Sequence, residues 1–295
     1  MQPFEVTRQD GRYRLDDALE RFRAYGIIVL KDFLPSGTQT ELRGALEDKL
    51  ATARAAGAVA KPPLYPLADF LLGDVLAIRE LEEYDFIFLR PELLGVLRGL
   101  LQSEELLYFG DSSVQYGEAA RGFHKDNVDR YNGDRDDWKG EYRLIRCGFY
   151  CQDHVNHSGG LKVRLASHNI PTHRRGRIVD VRTRYGDLAL WNMRLTHSGN
   201  NRRLKMLPRV SLHPRLEMIC PSALIRAEQQ RRIGAFWSFG AAGSHLDRYI
   251  ENMNVREADY KPYFQRARKP AEAVRLLARS GVSFRRPNNY YGELD

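Results

Sequence analysis

Residues 143–152 read RLIRCGFYCQ, a short run of mostly apolar and aromatic residues that is typical of a buried β-strand. Similar short runs occur at residues 106–109, 161–165 and 187–191, and Gly, Asn and Asp residues that favour turns separate them. Short strands at this spacing are typical of an antiparallel sandwich or barrel. The sequence therefore predicts a jelly-roll, cupin-like core between residues 106 and 240.

Helical periodicity flanks this β-rich region on both sides. Leu15, Leu19 and Phe22 recur at helical spacing before Gly26, which is a typical helix end, and the run Ile27–Leu30 then predicts a strand. Further helices are predicted at residues 38–50, 91–101 and 244–279. We therefore expect a mainly β protein with flanking helices, in one domain over residues 1–295. Its parts would be a helical N-terminal part (1–105), the β core (106–240) and C-terminal helices (241–295).

The composition is that of a water-soluble globular protein. The 295 residues are 43% hydrophobic and 28% charged, and no apolar run reaches the roughly 18 residues that a membrane span needs. The N-terminus does not resemble a signal peptide, and three cysteines fit a reducing compartment, so we expect a cytoplasmic protein. The net charge of +8 permits an anionic partner. Nucleic acid is not expected, because no basic motif with interleaved aromatic residues occurs.

The segment His124-Lys125-Asp126 places two possible metal ligands two residues apart. On a strand such residues share one face, so both can reach one ion. His197 is the candidate third ligand, and two histidines with one carboxylate form a facial triad that leaves positions on Fe(II) open. A turn histidine paired with Asp126 and a satisfied loop histidine at His197 are the alternatives, since a single His-x-Asp match has little specificity.

Five segments together resemble the phytanoyl-CoA dioxygenase family of 2-oxoglutarate oxygenases. They are LERFRAYGIIVLKDFL (19–34), HKD (124–126), SGGLKVRLASH (158–168), GDLALW (186–191) and THSGN (196–200). Their order and spacing agree with the family. The third segment departs from the family pattern at Ser158, Leu165 and Ala166, where Asn, Pro and Gly are usual, and the last is one residue short.

This resemblance implies a double-stranded β-helix core in which His124, Asp126 and His197 hold Fe(II), with 2-oxoglutarate and O₂ as co-substrates. It also implies an oxidoreductase that hydroxylates an unactivated C–H bond. Related halogenases replace the carboxylate ligand with a small residue so that halide can bind the metal. The presence of Asp126 therefore favours hydroxylation.

An enzyme of this family also needs an arginine to hold the distal carboxylate of 2-oxoglutarate, because a guanidinium pairs with a carboxylate through two hydrogen bonds. Arg209 lies 12 residues after His197, close to the family spacing. Arg232 is the competitor, because it opens the more convincing strand RIGAFWSF (232–239). If Arg232 has this role, residues 201–230 form a long insertion. The sequence leaves both open.

The substrate is not determined by these residues, because loops set specificity in such folds. A small molecule or a glycolipid is expected, and a negatively charged one would suit the net charge and the basic residues Arg143 and Arg146. A non-catalytic, cupin-like homologue that binds a metal or ligand is the alternative function. No oligomeric state is predicted.

Overall fold

The computed structural model describes residues 1–55, 68–73, 85–117, 122–199, 201–256, 270–285 and 287. These residues contain thirteen strands and seven α-helices. The strands are β1 (Glu5–Val6), β2 (Arg8–Gln9), β3 (Arg12–Tyr13), β4 (Ile27–Leu30), β5 (Ala68–Gly73), β6 (Leu106–Gly117), β7 (Leu144–Tyr150), β8 (Lys162–Arg164), β9 (Ile178–Asp180), β10 (Leu188–Asn192), β11 (His197–Ser198), β12 (Ile233–Gly240) and β13 (Val282–Phe284). The helices are α1 (Leu15–Tyr25), α2 (Ser36–Ala55), α3 (Asp85–Phe88), α4 (Pro91–Leu101), α5 (Pro214–Ile219), α6 (Ser244–Val255) and α7 (Pro270–Arg279).

The larger sheet has the strand order β1-β4-β10-β7-β12-β6-β13, and β5 pairs with β6. Its central pairs are antiparallel, whereas β1–β4 and β13–β6 are parallel. The side chains of β12 alternate between the two faces of this sheet. Trp237 and Phe239 pack on the outer face with the helices, and Phe236 packs on the inner face. Both faces of this sheet are therefore buried, which explains why its strands are apolar without strict alternation.

The smaller sheet has the order β11-β8-β9 and lies against the inner face of the larger one. Val163 and Leu161 from the smaller sheet join Val29, Trp191 and Phe236 from the larger sheet in one buried cluster. Two facing sheets whose core strands pair antiparallel, as these do, form a double-stranded β-helix. The predicted fold class, mainly β with flanking helices around a jelly-roll core, is confirmed. The division into three parts of one domain stays a prediction.

Helices α1 and α4 cover the outer face of the larger sheet. Phe22 of α1 and Leu97 of α4 belong to the same buried cluster as Trp237. Helix α1 ends at Gly26, which has a φ of 74° and donates its N–H to the carbonyl of Phe22. A Cβ atom at Gly26 would lie 2.4 Å from His168 Nδ1, so this turn into β4 requires glycine for both its conformation and its space.

The predicted strands and helices are confirmed, with shifted ends. The run at residues 143–152 is β7, and the run at 106–109 continues as the long strand β6. The predicted C-terminal helical region contains α6 and α7, and its residues 257–269 lie outside the described residues. No helix among the described residues has both the length and the apolar composition needed to cross a bilayer.

Gly148 in β7 gives a test of the inner packing. A Cβ atom there would lie 2.5 Å from the ring of Trp191 and 3.1 Å from that of Phe236. We expect Gly148→Ala to lower the free energy of unfolding by about 1–3 kcal/mol, because a methyl group has no room in this packed interior. Chemical denaturation measures the change.

The matched control is Gly95→Ala in α4, where no atom lies within 4 Å of the added Cβ. It should raise the free energy of unfolding by about 0.5–1 kcal/mol, because alanine loses less backbone entropy in a helix. Equal effects of the two substitutions would contradict the packing described for Gly148.

Candidate metal centre

Backbone hydrogen bonds bring His124 and His197 side by side. The N–H of each residue donates to the carbonyl oxygen of the other, at 2.9 Å in both directions. This antiparallel bridge extends the smaller sheet beyond β11, and His197 in turn pairs with Val163 of β8. Residues directly opposite each other in such a pair project to the same face. Both imidazoles therefore point between the two sheets, with ring centroids 4.3 Å apart.

The same extended segment presents Asp126 beside the two histidines. The N–H groups of Asp126 and Asn127 both donate to the carbonyl of Met193, which follows β10. Because side chains alternate along an extended chain, His124 and Asp126 face the interior and Lys125 faces the other way. The prediction that positions 124 and 126 share a face agrees with this geometry, although the segment is a single bridge and not a regular strand.

Lys125 holds the segment in place from behind. Its ammonium group is fully buried and donates to the carbonyls of Ser167 and Arg194, at 2.7 and 2.6 Å. It also lies 5.2 Å from the ring centroid of Trp138. Burial lowers the pKa of Lys125 to about 7, and the charge of Arg194 adds to this.

The hydrogen bonds of both imidazoles leave the same nitrogen available for a metal. His124 Nδ1 lies 3.0 Å from the carbonyl oxygen of Gly122, and His197 Nδ1 lies 3.1 Å from that of Leu195. A carbonyl oxygen only accepts hydrogen bonds, so Nδ1 carries the proton and Nε2 keeps its lone pair. Metal-bound histidines commonly have this arrangement, which fixes the ring orientation.

The donor atoms of His124, Asp126 and His197 converge. His124 Nε2 lies 3.9 Å from one carboxylate oxygen of Asp126, and His197 Nε2 lies 3.6 Å from the other. One donor atom from each residue lies within 4.8 Å of the other two, which makes this the only such cluster of three among the described residues. Two imidazoles and one carboxylate suit Fe(II) chemically and occupy one side of the ion.

The protonation states suit metal binding. Burial lowers the pKa of His197 to about 4, although the carboxylate of Asp126 opposes this shift. Burial acts to raise the pKa of Asp126, but His197, when protonated at low pH, and the cation Arg146 outweigh burial and lower this pKa overall. At neutral pH the site therefore offers a neutral His197 and an ionised Asp126.

Arg146 links Asp126 to a second carboxylate, that of Asp111, and both carboxylates are partly buried. Its Nε lies 3.6 Å from Asp126, and its two terminal nitrogens contact the two oxygens of Asp111 at 3.3 and 2.7 Å. Asp111 also accepts hydrogen bonds from Ser238 and Tyr249. These contacts come from β6, β7, β12 and α6, so four elements fix the guanidinium beside the candidate metal ligand.

The two candidate arginines lie in different environments. Arg232, just before β12, is 1% exposed and donates to the carbonyls of Gly159 and Gly117. Its guanidinium lies 5.3 Å from the ring of Tyr150 and 5.7 Å from that of Phe236, both on the inner face. Arg209 is exposed on the loop before α5. Only Arg232 therefore shares the interior with the three candidate ligands.

Sequence reasoning did not identify Asp111, Ser238 or Tyr249 as part of the site. It named Arg146 only as a possible contact for an anionic substrate. One signal was present: Asp111 is the single acidic residue within β6, and a charge in a buried strand needs a partner. Which partner it has depends on strand pairing and could not be read from the sequence.

Comparison with known proteins finds similarity in structure but none in sequence. No protein-family model and no curated protein sequence matches the chain. Among solved structures, AviO1 from Streptomyces viridochromogenes Tue57 matches with a TM-score of 0.55 at 16% identity, over 78% of this chain and 96% of AviO1. EvdMO1 matches with a TM-score of 0.54 at 17% identity, over 79% of this chain but only 51% of EvdMO1.

HygX from Streptomyces hygroscopicus, in a structure with nickel and 2-oxoglutarate bound, has a TM-score of 0.53 at 16% identity. The match covers 76% of this chain and 86% of HygX. A second HygX structure, which also holds hygromycin B, has a TM-score of 0.51 at 18% identity over the same shares. At these identities the similarity establishes the fold and leaves the activity to the site.

Arg146 should be needed for stability as well as for the arrangement of the site. We expect Arg146→Met to lower the free energy of unfolding by about 1.5–3 kcal/mol, because it leaves the partly buried carboxylate of Asp111 without its charged hydrogen-bond partner. Arg146→Met combined with Asp111→Asn should cost less than Arg146→Met alone, since Asp126 is then the one carboxylate that has lost this cation and Asp111 no longer carries a charge. Urea denaturation of the metal-free protein measures both.

The control is Lys139→Met, which removes an exposed ion pair with Asp136. Such a pair contributes at most about 1 kcal/mol. If Arg146→Met were no more destabilising than Lys139→Met, the network would not have the structural role described.

Proposed function

We propose that this protein is an Fe(II)- and 2-oxoglutarate-dependent oxygenase whose metal is held by His124, Asp126 and His197. One observation carries the proposal. The three donor atoms converge inside the β-helix, and both histidines present Nε2 to the same point because a backbone carbonyl engages each Nδ1. This donor set matches the facial triad of non-haem iron oxygenases. Iron and 2-oxoglutarate, when bound, supply O₂-dependent oxidation coupled to decarboxylation of 2-oxoglutarate to succinate.

The structural neighbours support the same cofactors. HygX, which has the same fold, has been solved with nickel and 2-oxoglutarate bound. A divalent metal and this co-substrate therefore fit a β-helix of this type. The narrower resemblance to the phytanoyl-CoA dioxygenase family, which rests on the five sequence segments, stays a prediction, as does a cytoplasmic location.

Arg232 is the proposed partner of the distal carboxylate of 2-oxoglutarate. It lies on the inner face at the start of β12, and a series of ring contacts connects it to the candidate metal ligands: Phe236 contacts Trp191, and Trp191 contacts His197. Arg146 is less suited to this role, because Asp111 already engages its guanidinium. A buried arginine in a water-poor interior binds a carboxylate strongly.

Hydroxylation is the proposed outcome. The carboxylate of Asp126 occupies the position that a halogenase leaves open for halide, so substrate oxidation should insert oxygen and not chlorine. A small-molecule substrate is proposed, and the HygX structure with hygromycin B bound shows that this fold can take one. A glycolipid or a negatively charged substrate also stays a prediction. Arg146 would not supply the positive charge, because two carboxylates lie around it.

The proposal is tested by metal binding and turnover. The wild-type protein should bind one equivalent of Fe(II) and release succinate from 2-oxoglutarate under O₂, with a substrate panel increasing the rate. His124→Ala and His197→Ala should each abolish both activities, because two remaining ligands do not hold the ion. Anaerobic titration and succinate detection are the measurements.

The control is His157→Ala, which lies outside the cluster and should retain both activities. Undiminished Fe(II) affinity in His124→Ala and His197→Ala would contradict the triad. Metal binding without succinate release on any substrate would instead favour a non-catalytic, cupin-like homologue. A chlorinated product would contradict hydroxylation.

The two candidate arginines should differ sharply in 2-oxoglutarate binding. Arg232→Gln should weaken it by about 2–5 kcal/mol, because the carboxylate loses its charged partner in a buried site. Arg209→Gln should change it little, because that side chain is exposed outside the interior. Isothermal titration with 2-oxoglutarate in the presence of metal gives both affinities, and an effect of Arg209→Gln alone would overturn the assignment.

A further inference from the structure

Residues 203–226 form a loop that closes on itself between β11 and β12. Leu204 and Ile225 make an antiparallel bridge at its base. The N–H of Lys205 donates to the carbonyl of Leu224 at 2.9 Å, and that of Arg226 donates to the carbonyl of Arg203 at 2.7 Å. The loop is therefore a structured unit added to the β-helix, and it contains α5. We call it the 203–226 loop.

The inward side of this loop is polar. The buried carboxylate of Glu217 accepts a hydrogen bond from the buried ammonium group of Lys162 in β8. The hydroxyl of Ser211 accepts one from the N–H of Asp180, and His213 packs against Phe123, the residue before the candidate ligand His124. The loop thus attaches to the outer side of the smaller sheet largely through charged and polar groups.

The outward side of the loop is apolar, which is the reverse of a normal surface segment. Of the eleven large hydrophobic side chains exposed in the described part of the chain, seven lie within residues 206–224. They are Met206, Leu207, Val210, Leu216, Met218, Ile219 and Leu224, and Met206 and Ile219 are 83% and 77% exposed. Water-exposed apolar residues concentrated in this way mark an interaction surface.

The exposed charges of the loop are all positive. Lys205, Arg209 and Arg215 are exposed, whereas its single acidic residue, Glu217, is buried. The basic turn at residues 173–177 lies next to it. Arg164 donates to the carbonyl of Gly176 in this turn, and its guanidinium lies 4.6 Å from the ring of Phe123, which packs against His213 of the loop. The apolar side chains are therefore surrounded by positive charge.

We infer that the 203–226 loop is a docking surface for a lipid bilayer that carries anionic headgroups. Aliphatic side chains can enter the boundary between headgroups and acyl chains, while nearby Lys and Arg side chains are attracted to the negative surface potential. All the exposed charges of the loop are positive and lie among exposed aliphatic side chains, so an anionic bilayer complements both features at once and a protein partner is the less favoured occupant.

The docking surface lies apart from the candidate metal centre. The three candidate ligands point between the two sheets, whereas the loop covers the outer side of the smaller sheet. Membrane binding should therefore not require iron or turnover, and it can be measured on the metal-free protein. Failure of this inference would leave the proposed oxygenase function untouched. Failure of the proposed oxygenase function would likewise leave this inference untouched.

The test is sedimentation of the full chain with lipid vesicles. The protein should sediment with vesicles of equimolar phosphatidylcholine and phosphatidylglycerol, and much less with pure phosphatidylcholine. High salt should weaken the binding, because it screens the exposed charges. The double variants Met218→Ser/Ile219→Ser and Lys205→Glu/Arg215→Glu should each reduce the partition coefficient by about tenfold or more.

Two variants serve as matched controls. Val255→Ser removes a side chain that is 82% exposed elsewhere, and Arg12→Glu reverses an exposed charge elsewhere. Both should sediment as the wild type does. All the substituted residues are exposed, so thermal unfolding should confirm that every variant is folded.

Three results would overturn the inference. The first is wild-type protein that stays in solution with anionic vesicles, and the second is equal binding to both vesicle types. The third is unchanged binding by the two loop variants. Self-association that the same variants abolish, without lipid binding, would also overturn it and assign the surface to a second copy of this chain.

Discussion

The reciprocal backbone hydrogen bonds between His124 and His197 are the interaction on which the candidate centre depends. They join an irregular segment to β11, and they force the two imidazoles onto one face of the smaller sheet. The hydrogen bonds from the N–H groups of Asp126 and Asn127 to the carbonyl of Met193 then fix the next part of the segment beside the end of β10. The candidate ligands are thus positioned by main-chain contacts, which tolerate almost any neighbouring side chain.

The interior around the centre is balanced in charge. Arg146 lies between Asp111 and Asp126, so one cation contacts two partly buried carboxylates. Behind the segment, the cations Lys125 and Arg194 both lie 5.2 Å from the ring of Trp138. A buried charge without a partner would be costly, so each of these groups constrains its neighbours. The same contacts that stabilise the fold therefore hold Asp126 in the orientation that a metal needs.

The barrel and the loop that is added to it have separate physical roles. The facing sheets create an interior that holds the candidate ligands and Arg232. The 203–226 loop turns its polar groups toward the protein and its aliphatic groups toward the solvent. The fold therefore loses the stabilisation that burial of these aliphatic side chains would give. A protein keeps such an exposed surface when another phase or molecule covers it. The proposed oxidation and the proposed membrane contact therefore involve different faces of one β-helix.

The sequence by itself determined the fold class and the three candidate ligands. Alternating short apolar runs predict strands, because pleated backbones place successive side chains on opposite faces, and His-x-Asp spacing follows from the same period. It could not choose between Arg209 and Arg232, because both are arginines near a predicted last strand. Only the tertiary structure placed Arg232 in the interior and Arg209 outside it. The surroundings of Arg146 were decided in the same way. Its partner Asp111 lies 35 residues before it, and Tyr249, which donates to Asp111, lies 103 residues after it, so only strand register and helix docking bring the three together.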